Sequence, residues 1–186
     1  MKYWPHDLFS DVIMIEPRCF NDARGYFFEG FQANRYADAG LPPFVQDNFS
    51  RSSKNTLRGL HYQLKHPQGK LIGVTSGKVY DVVVDIRQSS PTFGRWISFE
   101  LSMDNCMQIY IPPGYAHGFC VMSDTADFYY KCTTYYAPTD EYGLIWNDPL
   151  LNIDWPLLST PILSVKDQAY PTLQEIHPDH LPRCQS

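Results

Sequence analysis

Tyr80-Asp81-Val82-Val83-Val84-Asp85-Ile86-Arg87 reads with a period of two: Tyr80, Val82, Val84 and Ile86 make one apolar face, and Asp81 and Asp85 stand against it. Side chains alternate across a strand, so the pattern predicts a half-buried β-strand. Ile97, Phe99 and Leu101, alternating with Trp96, Ser98 and Glu100, predict a second. Turn chemistry punctuates such runs at short intervals: Ser76-Gly77, Ser89-Ser90-Pro91-Thr92-Phe93-Gly94, Met103-Asp104-Asn105 and Pro112-Pro113-Gly114. Closely spaced strands and turns of this kind belong to an all-β sandwich or barrel.

Working outward, further strands are expected over residues 25–31, 44–50, 71–76, 108–111, 118–122 and 127–134. Helix is scarce. Residues 32–39 end at Gly40 with Pro42 just beyond, which is helix-stop chemistry, and residues 173–176 predict one more short turn. A double-sheet jelly roll of the cupin type accommodates this number of strands and offers an interior cavity. No repeat, low-complexity tract or Gly/Ser linker divides the chain, so residues 1–186 are expected to form a single domain. Its jelly-roll core would span roughly residues 20–135, with residues 136–186 packing on it.

At 186 residues the chain is long enough for one substantial core. A net charge of -5 opposes non-specific nucleic-acid binding, which needs many Lys and Arg to neutralise phosphates. The first residues lack the apolar centre of a signal peptide, and no run approaches the length of a membrane span. A soluble, cytoplasmic protein with no membrane or nucleic-acid partner is therefore expected. Cys19, Cys106, Cys120, Cys132 and Cys184 are odd in number with no Cys-x-x-Cys spacing, which points to reduced, mostly packed thiols.

Three segments concentrate the chemistry. Arg58-Gly59-Leu60-His61-Tyr62-Gln63 is followed by Gln68-Gly69-Lys70-Leu71, and later by Ile111-Pro112-Pro113-Gly114-Tyr115-Ala116-His117-Gly118-Phe119. Imidazole, guanidinium and ammonium groups on one frame suit proton transfer at an acidic carbon of an anionic substrate. A metal was weighed against this. Pro112-x-Gly114-x-x-His117 looks like half of a cupin metal motif, but the other half wants a second histidine two residues after His61, where the chain has Gln63. No metal site is expected.

Matches in order along nearly the whole chain then make the resemblance specific. They are Glu16-Pro17-Arg18 with Asp22-Ala23-Arg24-Gly25, Val45 to Ser52, Leu57 to Gln63, Tyr80 to Arg87, Ala116-His117-Gly118-Phe119, Tyr130 to Tyr136, Trp146-Asn147-Asp148-Pro149 and Leu163-Ser164-Val165-Lys166-Asp167. In these segments the sequence resembles the dTDP-4-dehydrorhamnose 3,5-epimerase family, which serves dTDP-L-rhamnose synthesis. The resemblance implies a cofactor-independent epimerase that inverts carbons 3 and 5 of dTDP-4-dehydro-6-deoxy-D-glucose through an enolate. It also implies a homodimer of jelly rolls.

The family chemistry fits the residues. A 4-keto group acidifies the hydrogens on carbons 3 and 5, so a base removes one and an acid returns a proton on the opposite face. The resemblance makes His61 the base, Asp167 its orienting partner, Tyr130 the proton donor and Lys70 the cation beside the enolate oxygen. It places Arg24, Glu29, Gln46, Asn48, Arg58, His117, Glu141 and Lys166, besides Lys70, on the nucleotide sugar, with Tyr136 packing on sugar or base. Taken singly, each has an ordinary reading: His61 as a structural histidine, Tyr130 as a packing residue, Lys70 and Lys166 as solvated lysines. Their conjunction argues against a non-catalytic sugar-nucleotide-binding cupin. A metal-dependent cupin oxygenase ranks third, because the metal motif is incomplete. An epimerase inverting only one carbon stays open. Asp81 and Asp85 are left out of the catalytic set, assigned either to an inner polar network or to solvent. Gly73 departs from the family, which often has a basic residue there, and this bears on local substrate contacts. His6, His66, His177 and His180 match no catalytic position.

Overall fold

In the computed structural model, which describes residues 1–184, thirteen strands and one short helix build two facing sheets and a separate hairpin. The strands are β1 (Lys2–Pro5), β2 (Ile13–Glu16), β3 (Cys19–Asp22), β4 (Gly25–Phe28), β5 (Gln46–Ser53), β6 (Leu57–Gln63) and β7 (Lys70–Ser76). They continue as β8 (Lys78–Asp85), β9 (Trp96–Ser102), β10 (Gln108–Ile111), β11 (Tyr115–Val121), β12 (Thr125–Cys132) and β13 (Glu141–Gly143). One sheet runs β1-β2-β10-β7-β12-β5 and the other β13-β6-β11-β8-β9, while β3 and β4 pair only with each other. This is the expected all-β jelly roll. No helix among the described residues is long and apolar enough to cross a membrane.

The helix α1 (Ala33–Asp38) begins where Gln32 accepts a hydrogen bond from the Arg35 amide, and ends before Gly40 as its stop signal requires. Residues 173–176 form the expected turn, closed by the Glu175 amide on the Thr172 carbonyl. The strand over 108–111 falls where periodicity places it, and the others shift by one to three residues at their ends. The first three strands, β6 and β13 carry no strong alternation and were not anticipated as strands.

The opening stretch requires a correction. β8 is buried on both faces, and the orientation is the reverse of a polar side facing water. Val82, Val84 and Ile86 pack outward against a layer supplied by the C-terminal segment, including Leu144, Leu151, Trp155, Leu173, Ile176 and Leu181. Val79 and Val83 point into the space between the sheets, packing with Ile72, Val74, Phe119 and Phe128. Asp81 and Asp85 share that inner direction and are fully buried. Period-two reading finds the strand, but it cannot see a second layer that arrives late in the chain.

A third cluster of Ile15, Tyr36, Leu41, Leu71 and Tyr110 covers the outer face of the first sheet beneath α1. On the second sheet, β6 and β11 press together unusually closely. A side chain on Gly59, where φ is +120°, would lie 2.5 Å from the Gly118 Cα, and one on Gly118 would lie 2.6 Å from the Arg58 carbonyl oxygen. Two glycines thus allow the contact, and the resulting register sets His61 directly opposite His117.

Candidate active site

At one end of the space between the sheets is a cavity of about 370 Å³. The second sheet contributes Arg58 and His61 from β6, His117 from β11 and Glu141 from β13; the first contributes Asn48 from β5, Lys70 from β7 and Tyr130 from β12. Strand pairing explains the grouping. Tyr130 lies opposite Asn48 on one side and Ile72 on the other, so all three share the inward face, with Lys70 two residues along from Ile72.

The chain then folds back to complete the wall. Parallel bridging of Thr56 with Ile162, closed by the Leu57 amide on the Ile162 carbonyl, lays residues 162–167 beside β6. Asp167 there reaches His61, with Oδ1 2.5 Å from Nε2. Its other oxygen accepts from the Ser164 hydroxyl at 2.8 Å, and Ser164 Oγ in turn accepts from the Asp167 amide. Burial alone would raise the Asp167 carboxyl, but the His61 hydrogen bond and charge, with help from Ser164 and the Gly59 amide, hold it below its usual value. An ionised Asp167 accepts from Nε2–H and leaves Nδ1 as the proton-accepting nitrogen of His61.

A second histidine–carboxylate pair lies deeper. His117 Nε2 is 2.7 Å from Asp81 Oδ2, both side chains buried. Asp81 Oδ1 is buried without a hydrogen-bond partner. Burial raises the Asp81 carboxyl, opposed by His117 and by Lys70. Lys70 is pushed the other way: burial lowers its ammonium, while Cys132, Glu141 and Asp81 oppose that fall. The Lys70 ammonium lies 5.9 Å from the centre of the Tyr130 ring. Tyr130 itself is raised by burial, which keeps its hydroxyl protonated at neutral pH.

The rim is polar. Lys166 Nζ lies 2.6 Å from Glu141 Oε2, the Tyr136 hydroxyl donates to the same carboxylate, and Gln46 joins Asn48 at 3.0 Å while accepting from the Tyr136 amide at 2.8 Å. Burial would lift Glu141, but Lys166 and Tyr136 outweigh it and hold the carboxyl low; the same contact pushes Tyr136 up to about 12. Arg58 Nε donates to Ser52 Oγ at 3.0 Å.

The cavity is therefore lined by His61, Tyr130, Asp167, Lys70, Asn48, Arg58, His117, Glu141 and Lys166, with Gln46 and Tyr136 tied to its edge. Arg24 and Glu29 are not brought there. Arg24 lies in the β3–β4 hairpin, paired with Asp22 at 2.6 Å, and Glu29 pairs with Arg35 at 2.8 Å. Sequence reasoning left Asp81 between an inner polar network and solvent, and the structure puts it in the inner network against His117. Sequence reasoning passed over Ser164, whose Ser-x-x-Asp spacing is a local side-chain-to-backbone signature. Asp85 is occupied structurally, accepting from Arg87, Ser90 and Thr92. Gly73 faces away from the cavity, under the Tyr129 ring. His6, His66, His177 and His180 do not line the cavity. Among the described residues no three His, Cys, Asp or Glu side chains cluster as metal ligands. Gln63 instead ties a loop, donating to the His66 carbonyl and accepting from the Ala137 amide.

A base on one sheet, a phenol on the other and an ammonium beside the phenol form an arrangement suited to moving protons on and off opposite faces of a flat substrate. Residues 7–175 match the family model described as dTDP-4-dehydrorhamnose 3,5-epimerase. The Escherichia coli K12 protein of that name is 52% identical over 170 residues, covering 90% of this chain and 92% of that protein. A crystal structure of the Legionella pneumophila dTDP-6-deoxy-D-glucose-3,5-epimerase, in complex with dTDP-4-keto-L-rhamnose, superposes with a TM-score of 0.96. It is 50% identical and covers 100% of this chain and 99% of that one. ChmJ, a 3'-monoepimerase from Streptomyces bikiniensis crystallised with dTDP-quinovose, superposes at 0.91 with 33% identity, covering 97% and 92%.

Proposed function

The chain belongs to the dTDP-4-dehydrorhamnose 3,5-epimerase family, and from that premise we propose that its inter-sheet cavity converts dTDP-4-dehydro-6-deoxy-D-glucose to dTDP-4-dehydro-L-rhamnose. The observation that carries the reading is the placement of His61, held by Asp167, and Tyr130 on facing sheets with Lys70 beside the phenol.

Each inversion breaks one C–H bond and makes another at the same carbon. His61 Nδ1 takes the proton from carbon 3 or 5, and the electron pair moves onto the ketone oxygen. Lys70 stabilises that oxyanion at the moment it forms, an interaction worth about 3 kcal/mol for one preorganised donor. Tyr130 delivers a proton from the other face, the carbonyl re-forms, and proton exchange with solvent returns His61 to its neutral form and Tyr130 to the phenol before the next inversion. Electrons balance within the sugar, so the cycle draws on no oxidant or redox cofactor, and Lys70 takes the place a metal ion would have beside the oxyanion. His117, Arg58, Asn48, Gln46, Glu141, Lys166 and Tyr136 hold the nucleotide sugar, the cations meeting its diphosphate.

The same reading takes the whole chain as one catalytic unit that works as a homodimer. Strand β5 is a long open edge with Phe49 76% exposed, and the β3–β4 arm carries exposed Phe20, Tyr26 and Phe27, the last 69% exposed. An isologous dimer that covers the edge and these rings removes the liability of both. It also reconciles Arg24 and Glu29 with substrate binding: absent from their own cavity, they serve the cavity of a second copy.

Proton NMR of the dTDP-4-keto-6-deoxy sugar in deuterium oxide, with chelator-treated protein, tests the function. Exchange with inversion at both carbons is expected. Inversion at one carbon identifies a mono-epimerase, activity lost on chelation defeats the metal-free cycle, and no exchange by folded protein refutes the reading.

A further inference from the structure

Gln108 is buried on the face of the first sheet that looks away from the cavity. Its Nε2 donates to the Gly30 carbonyl at 2.7 Å and to the Tyr129 hydroxyl, while its Oε1 accepts from the Tyr36 hydroxyl at 2.5 Å. The Tyr36 oxygen also lies 3.0 Å from the Gly30 carbonyl. Three elements therefore converge on one backbone carbonyl: α1 through Tyr36, β10 through Gln108 and, behind Gln108, β12 through Tyr129. A buried polar network with its partners in place is stiff and admits few arrangements.

What this network grips is the root of the arm. Gly30 follows β4 by two residues, and its neighbour Glu29 is tied to Arg35 of α1. Strands β3 and β4 belong to neither main sheet, so the direction of the arm is set at its roots. Gly73, directly across from Gln108 in the ladder, contributes by having no side chain. A Cβ there would fall 2.7 Å from the Tyr129 ring and displace the hydroxyl that Gln108 holds.

We propose that Gln108, Tyr36 and Tyr129 form a socket that aims the β3–β4 arm, and so tune nucleotide-sugar affinity in the partner's cavity without touching the ligand. They are positioning residues, acting through Arg24 on the anionic diphosphate, and the proposal rests on the homodimer reading above. Because the cavity chemistry is built on other side chains, the socket governs binding and leaves turnover at saturation alone.

The experiment combines sedimentation equilibrium of the unmutated protein with steady-state kinetics of Gln108→Leu, Tyr36→Phe and Tyr129→Phe, alone and with Arg24→Ala. Gln108→Leu should raise KM about tenfold, the scale of one misaimed hydrogen bond to a charged group, with little change in kcat. Combined with Arg24→Ala, it should add no further rise, because the arm then has nothing left to aim. If Gln108→Leu does not fold, the two Tyr→Phe variants carry the test, since each removes only a hydroxyl. Unchanged KM in the folded variants, a fall confined to kcat, or full additivity with Arg24→Ala would overturn the socket. A monomeric unmutated protein would instead overturn the homodimer reading, and the socket with it.

Discussion

His61 and Asp167 meet at 2.5 Å across 106 residues of sequence, because the segment after β13 returns to lie beside β6. The contact fixes which imidazole nitrogen carries the proton. His61→Ala should therefore lower kcat by about 10²–10⁴-fold, the usual range for a positioned general base, and leave dTDP binding by calorimetry near the wild-type level. Near-normal turnover would remove His61 from the role.

Asp167→Asn gives a separate, thermodynamic reading. Asp167 is held below its ordinary value, so its ionised form contributes stability above the normal aspartate range, and that contribution disappears as pH falls through the lowered folded value. Urea unfolding from neutral pH downward should show the wild-type advantage over Asp167→Asn shrinking below about pH 4. A difference that stays constant into strong acid would mean the pair is not ionic.

Tyr130 stands on the sheet opposite His61, which in the proposed cycle separates reprotonation from abstraction. Tyr130→Phe should still exchange substrate hydrogen with deuterium oxide while forming little inverted product. Inversion at the wild-type rate would assign the donor elsewhere.

Much of this was legible in the residues. Alternation in β8 and β9, and the turn clusters between runs, gave strands and class, and the family resemblance named nine of the cavity's lining residues. The face of β8 was not legible, since its outer layer comes from Leu144 to Leu181, far along the chain, and alternation alone does not say which side is in. The same gap left Asp81 undecided between an inner polar network and solvent. Arg24 and Glu29 show a different limit: a resemblance locates them on a ligand, but one chain's geometry puts them elsewhere.

Their placement makes a prediction by complementation. In the proposed homodimer, Arg24→Ala and His61→Ala proteins should each be impaired, and mixing them under conditions that allow subunit exchange should restore activity. In the mixed dimer, one cavity combines an intact His61 with the partner's intact arm. No recovery, with mixed dimers demonstrated by mass, would place Arg24 outside the partner's site.

Gly73 tests packing rather than chemistry. A methyl at this position would meet the Tyr129 ring at 2.7 Å, so Gly73→Ala should lower unfolding stability by about 1–3 kcal/mol, the cost of overpacking. Adding Tyr129→Leu should recover part of the loss by making room. Unchanged stability in Gly73→Ala would show that Tyr129 moves aside freely.

Asp81 is the last of three groups, after Cys132 and Glu141, that oppose the fall of the Lys70 ammonium on burial. Desolvation drives the ammonium's pKa down, and the groups opposing it come from three strands: Cys132 on β12, Glu141 on β13 and Asp81 on β8, with the neutral Tyr130 ring alongside. Asp81→Asn removes one of these opposing contributions and keeps the shape, so the Lys70 pKa should fall further. A lysine that loses its proton at lower pH leaves the enolate oxygen without its cation at lower pH. The alkaline limb of the kcat profile should therefore move toward neutrality, with the loss smallest on the acid side, where Lys70 is still charged. Lys70→Met, which has no proton to lose, should cost about a hundredfold at every pH and abolish the sensitivity of that limb to Asp81→Asn. An alkaline limb that Asp81→Asn leaves in place would confine Asp81 to holding His117.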